Sequence, residues 1–146
     1  MQDKTETKER SFLLSKVIYT AVFVDSSNLP KPQLDRRIEA PHVTLDFRPV
    51  DVPWDIFGEI VKIDVTGYAN NGKNEGLKVK IHSENKRVME EVSKIRVPHI
   101  TLSVAEGGSP RHTGGLNFID VEPYSFYGKI GAFTNTGVVF EKGETK

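Results

Sequence analysis

The sequence predicts an α+β fold: duplicated β-α-β lobes whose antiparallel sheets form a concave cleft. Three observations point there. The phrase Pro41-His42-Val43-Thr44-Leu45 returns as Pro98-His99-Ile100-Thr101-Leu102. Each copy comes after a strand-like segment and a connection, and the second connection has helical spacing. Elsewhere apolar residues alternate with period two, as they do in half-buried strands.

Taken in order, Val17–Val24 (VIYTAVFV) is rich in β-branched and aromatic residues and reads as a buried strand that ends at Asp25-Ser26-Ser27-Asn28. Lys31–Ile38 is expected to be a short helix behind two prolines. His42–Phe47 is the second strand, and Pro49 and Pro53 keep the next stretch from continuing it. Trp54–Ile56 reads as a helical turn or an apolar plug. Glu59–Tyr68 and Gly76–His82 both alternate and are joined by Asn70-Asn71-Gly72-Lys73-Asn74, which predicts a hairpin. Ser83–Ile95 is the clearest helix: Val88, Met89, Val92 and Ile95 form one stripe, Ser83 can cap it and Pro98 stands beyond its end. The second His-x-Thr strand comes next, then the glycine-rich loop Gly107–Gly115. Tyr124–Phe133 and Gly137–Glu141 read as closing strands joined through Thr134-Asn135-Thr136.

At 146 residues the chain has room for one domain with a real core. Residues 1–11 and 143–146 read as solvated tails around a single bilobal domain over 12–142. Lys plus Arg equals Asp plus Glu at 20 each, so no general attraction to duplex DNA is implied, although a local positive cleft remains open. Cysteine is absent, which removes disulfides, thiolate nucleophiles and cysteine-ligated zinc and suits a reducing compartment. No apolar stretch nears the ~20 residues that span a bilayer, and the charged start lacks a signal-peptide core. A monomer in the cytoplasm, away from membranes, is the expectation.

Strand alternation gives the repeated phrase its chemistry. His42, Thr44 and Asp46 project one way, and Val43, Leu45 and Phe47 the other. Likewise His99, Thr101 and Ser103 oppose Ile100, Leu102 and Val104. If the two strands lie side by side, two imidazoles share a cleft with a hydroxyl beside each, which suits acid–base chemistry on a phosphate. The bland alternative is a pair of hydrogen-bonded histidines within a sheet, and the doubled context favours catalysis. Two histidines without a third ligand at suitable spacing make a poor metal set, so neither metal nor cofactor is expected. Asp46 facing Ser103 would make the two halves unequal.

Around this core, Tyr19 is a candidate for stacking a nucleobase, against core or rim packing. Lys78 and Lys80 alternate with Leu77, Val79 and Ile81, and Lys80 is a candidate phosphate contact against a plain solvated lysine. Arg111 and His112, in the glycine-rich loop, are candidates for touching phosphate or base, whereas His82 reads as a surface residue.

His42-Val43-Thr44-Leu45 and His99-Ile100-Thr101-Leu102 resemble the signature of the 2H phosphoesterases, a superfamily named for paired His-x-Thr motifs. The resemblance extends as a pattern over residues 17–141. It implies a metal-independent phosphodiesterase with His42 and His99 as the acid–base pair and Thr44 and Thr101 as phosphate-holding hydroxyls. The implied substrate is a 2′,3′-cyclic phosphate at the end of RNA or a short oligonucleotide. Cyclic di- or oligonucleotide second messengers, which some phage members degrade to blunt host defence, are the alternative within the same chemistry. A non-catalytic module binding nucleotides or RNA ends is the alternative outside it.

Overall fold

The computed structural model describes residues 16–141. Among them six antiparallel strands close into a barrel: β1 (Val17–Phe23), β3 (His42–Phe47), β6 (His99–Val104), β5 (Asn74–His82), β4 (Ile60–Asn70) and β7 (Ile119–Thr134), which returns to β1. Two short strands lie outside the ring. β2 (Arg36–Arg37) pairs with β6, and β8 (Gly137–Val139) with β7. Closure leaves no long unpaired edge among the ring strands.

This corrects the expected duplicated β-α-β lobes. A β-α-β unit joins parallel strands through a helix, but every strand pairing among the described residues is antiparallel. The order strand, connection, His-x-Thr strand does occur twice. Only the second connection holds an α-helix, α1 (Lys86–Val92). The helix expected over Lys31–Ile38 is absent, because Pro30 and Pro32 fix φ and remove N–H donors. That segment bends at Leu34 and Asp35, continues as β2, and hydrogen-bonds by Leu34 N–H to Ser103 Oγ and by Ile38 N–H to the Leu102 carbonyl. The expected tails lie outside the described residues.

The barrel interior is set by the alternation. Val61, Ile63 and Val65 from β4 meet Leu77, Val79 and Ile81 from β5, Val43 and Leu45 from β3, and Ile100 and Leu102 from β6. Each such side chain contributes about 1.5–3 kcal/mol by leaving water. Helix α1 adds Val88 and Val92 to this cluster. Its cap is Asn85, whose side chain accepts from the Arg87 and Val88 amides; Ser83, the expected cap, instead accepts from Asn85 N–H. The apolar stripe on α1 is thus used as expected, over a shorter helix.

Candidate functional site

Val43 and Ile100 are cross-strand partners in β3 and β6, and both are fully buried. Their burial forces the alternate residues outward. Counting one residue each way along antiparallel strands sets His42 across from Thr101 and Thr44 across from His99. The structure therefore brings all four motif side chains to one patch of the barrel's outer face, related by a local twofold through the Val43–Ile100 pair.

Both motifs are pinned by the same backbone device. The Pro41 carbonyl accepts from Val24 N–H at 3.1 Å, and the Pro98 carbonyl accepts from Val79 N–H at 3.1 Å. Proline cannot donate, and it holds the residue before it in extended backbone. The carbonyl of that preceding residue turns back to the imidazole: His42 Nδ1–H donates to Ala40 O and His99 Nδ1–H to Val97 O, each at 2.8 Å. A carbonyl only accepts, so Nδ1 carries hydrogen in both rings and Nε2 is left for chemistry.

The surroundings of the two rings differ. His42 stacks on Tyr19 with centroids 4.6 Å apart, and Phe23 stands 5.8 Å away. Tyr19 in turn stacks on Phe133 at 5.3 Å. Burial among these rings pushes the His42 pKa below the ordinary histidine value, the Ala40 hydrogen bond works against that shift, and the charge of His99 adds to it. Burial also raises the Tyr19 hydroxyl, which keeps it protonated.

His99 is covered from the other side by the 3₁₀ turn Pro110–Gly115. A β-carbon on Gly114 would lie 3.0 Å from His99 Cε1, so the turn rests closely on the imidazole and a larger residue there would make the ring give way by a few tenths of an ångström. Thr113, fully buried, accepts from Thr101 Oγ1 at 2.9 Å and from Asn74 Nδ2 at 3.0 Å. Its methyl group fills the space above Gly76, the β5 residue across from Thr101. Thr101 is thus held by a neighbour, while Thr44 has no such partner among the described residues.

Tyr19 joins the site. Lys80 lies on the outer face across from Asp64, and the lysine across from His99 is Lys78. Arg111 and His112 are exposed on the 110–115 turn, whose inward contacts come from Thr113 and Gly114. His82 bonds to Asp64 at 2.9 Å. The expected facing of Asp46 and Ser103 does not form: the register carries them to opposite ends of the strand pair, and Ser103 is buried, donating to Glu75 Oε1 at 2.7 Å. Sequence reasoning missed Thr113 and the two glycines that seat its turn. A glycine interrupting the alternation of β5 was the available signal.

Compared with known families, curated proteins and solved structures, the chain matches none. Among the described residues no group of three or more His, Asp or Glu side chains is placed to hold a metal ion. No helix among them is long and apolar enough to cross a membrane.

Proposed function

We propose that this protein is a metal-independent phosphodiesterase of the 2H type that opens 2′,3′-cyclic phosphates on RNA ends or nucleotides in the cytoplasm. One observation carries the reading. Two histidines in antiparallel register on one face each tie Nδ1 to a backbone carbonyl, which leaves Nε2 of both rings for chemistry, and a threonine lies across from each.

The reaction needs one proton taken from water and one given to the departing ribose oxygen. His42, held below the usual histidine pKa by burial, is neutral at pH 7 and suits the base. Its Nε2 takes the proton as the water oxygen bonds to phosphorus. His99 Nε2–H then protonates the ribose oxygen as its bond to phosphorus breaks. Bound phosphate favours retention of that second proton. Thr44 donates to a non-bridging oxygen, where negative charge grows, and Thr101 joins it by turning its hydroxyl hydrogen from Thr113 Oγ1 to the phosphate. Each proton-transfer role contributes about 10²–10⁴ in rate.

The test is hydrolysis of 2′,3′-cyclic mononucleotides by wild type, His42→Ala and His99→Ala, with folding monitored by circular dichroism. Each substitution is expected to lower kcat by about 10² or more in a folded protein, and a chelator to leave wild type unaffected. Full activity in either variant overturns the reading.

A further inference from the structure

We infer that the outer face of β5 and β4 is a track for the phosphates of a single-stranded RNA whose 3′ end lies at the histidines; this rests on the phosphodiesterase reading. The track is a consequence of register. Lys78 stands across from His99, so its exposed side chain starts beside the site. Lys80, two residues on, faces outward in the next row across from Asp64. The third row holds His82 of β5, Lys62 of β4 and Tyr127 of β7, all exposed.

Charge is uneven here although the whole chain is neutral. Asp64 pairs with His82 at 2.9 Å and with Lys62 at 3.9 Å. Lys78 and Lys80 have no acidic partner among the described residues. Lys62, Lys78, Lys80 and His82 therefore stand around Asp64, with Glu59 and Glu84 lining the surface beside the third row. Asp120, across from Gly67 on the far side of β4, marks the border.

Spacing matches a polymer. Residues i and i+2 on a strand are about 6.7 Å apart, close to the step between phosphates of an extended single strand. Tyr127 is 65% exposed at the end of the track, a bare ring of the kind on which bases stack. The third row lies about 13 Å along β5 from Lys78. A mononucleotide would leave it unused, and a compact cyclic dinucleotide would not extend along it. The track therefore selects an oligonucleotide end over a cyclic messenger.

The experiment compares a cyclic mononucleotide, a cyclic-phosphate-ended hexanucleotide and a cyclic dinucleotide as substrates of wild type and the double variant Lys62→Gln/Lys80→Gln. Anisotropy of a labelled, non-cleavable hexanucleotide reports binding separately. Wild type should prefer the hexanucleotide in kcat/KM. Three phosphate contacts on a single strand predict that raising salt from about 50 to 200 mM weakens its binding about 20-fold. The double variant should lose that preference and most of the salt dependence while keeping mononucleotide turnover. Unchanged hexanucleotide binding in the double variant overturns the track, as does equal cleavage of the cyclic dinucleotide by wild type. No turnover of any substrate, with salt-dependent hexanucleotide binding intact, overturns the catalytic reading and supports the track.

Discussion

Gly76 is the seat of the turn that covers half of the site, and filling it gives a worked prediction. A β-carbon there would lie 2.3 Å from Thr113 Cγ2 and 2.9 Å from the Ile100 carbonyl oxygen. The first clash is relieved by lifting the 110–115 turn, the second by moving β6 itself. Alanine in extended backbone stabilises by about 0.4–1 kcal/mol through the unfolded chain. Overpacking costs about 1–3 kcal/mol, and loss of a hydrogen bond at Thr113 Oγ1 adds about 1 kcal/mol. The clash wins, and Gly76→Ala is expected to lose about 2 kcal/mol. For a chain of this size that lowers Tm by about 4–8 °C. Urea unfolding measures the loss directly. With its Thr113 partner displaced, Thr101 no longer holds its position, and kcat on a cyclic mononucleotide should fall by up to about 10². A Gly76→Ala protein as stable and as active as wild type would refute the seating of this turn in the gap.

Buried groups give two further outcomes. The His42 pKa is lowered, chiefly by burial, whereas the unfolded chain titrates near the ordinary ~6.5. The unfolded state then binds more protons, so stability falls as pH drops below about 6.5 and levels once the folded ring also protonates. An NMR titration of the ring should place the His42 midpoint below 6.5, and the acid limb of kcat/KM with it; a midpoint above 6.5 contradicts the burial argument. Glu75 is almost fully buried and accepts from Gln33 N–H at 2.9 Å, Ser103 Oγ at 2.7 Å and the Tyr68 hydroxyl. Glu75→Leu strands three donors and should cost at least about 3 kcal/mol in urea unfolding, against about 1 kcal/mol for Tyr68→Phe; a neutral Glu75→Leu would show the network to be dispensable.

Local features were the part that could be read from the sequence. Period-two alternation encodes which face a residue takes, so the outward set His42, Thr44, His99 and Thr101 and the inward set Val61, Ile63, Val65, Leu77, Val79 and Ile81 were legible. The hairpin was legible from its Asn-Gly turn, and Gly72 takes φ 84° there. Ring closure was not, because it depends on pairing between β1 and the distant β7. The first half of β7 is almost wholly exposed and alternates only from Phe126 onward, so it carries no inward stripe to betray its length. The helix expected at Lys31–Ile38 fails for another reason: only analogy with the second half of the chain favours it, and Pro30 and Pro32 oppose it. Lys78 was visible as one of two alternating lysines, but only the β5–β6 register separates it from Lys80.

The two motifs share one backbone device, and that sameness poses a chemical problem that the flanking strands answer. A pair of identical imidazoles in identical surroundings would have no reason to divide into a base and an acid. Here each motif strand has a different outer neighbour: β1 beside β3, and β5 beside β6. β1 supplies Tyr19 and Phe23, whose rings bury His42 and favour its neutral form. β5 supplies no ring at the matching place. It supplies Gly76, which admits the 110–115 turn against His99 and Thr101. The roles in the proposed reaction are therefore assigned by residues outside the repeated phrase. Residue 19 is a sharper lever on that assignment than any conservative change within the motifs, because removing its ring unburies one imidazole and leaves both Nδ1–carbonyl bonds in place.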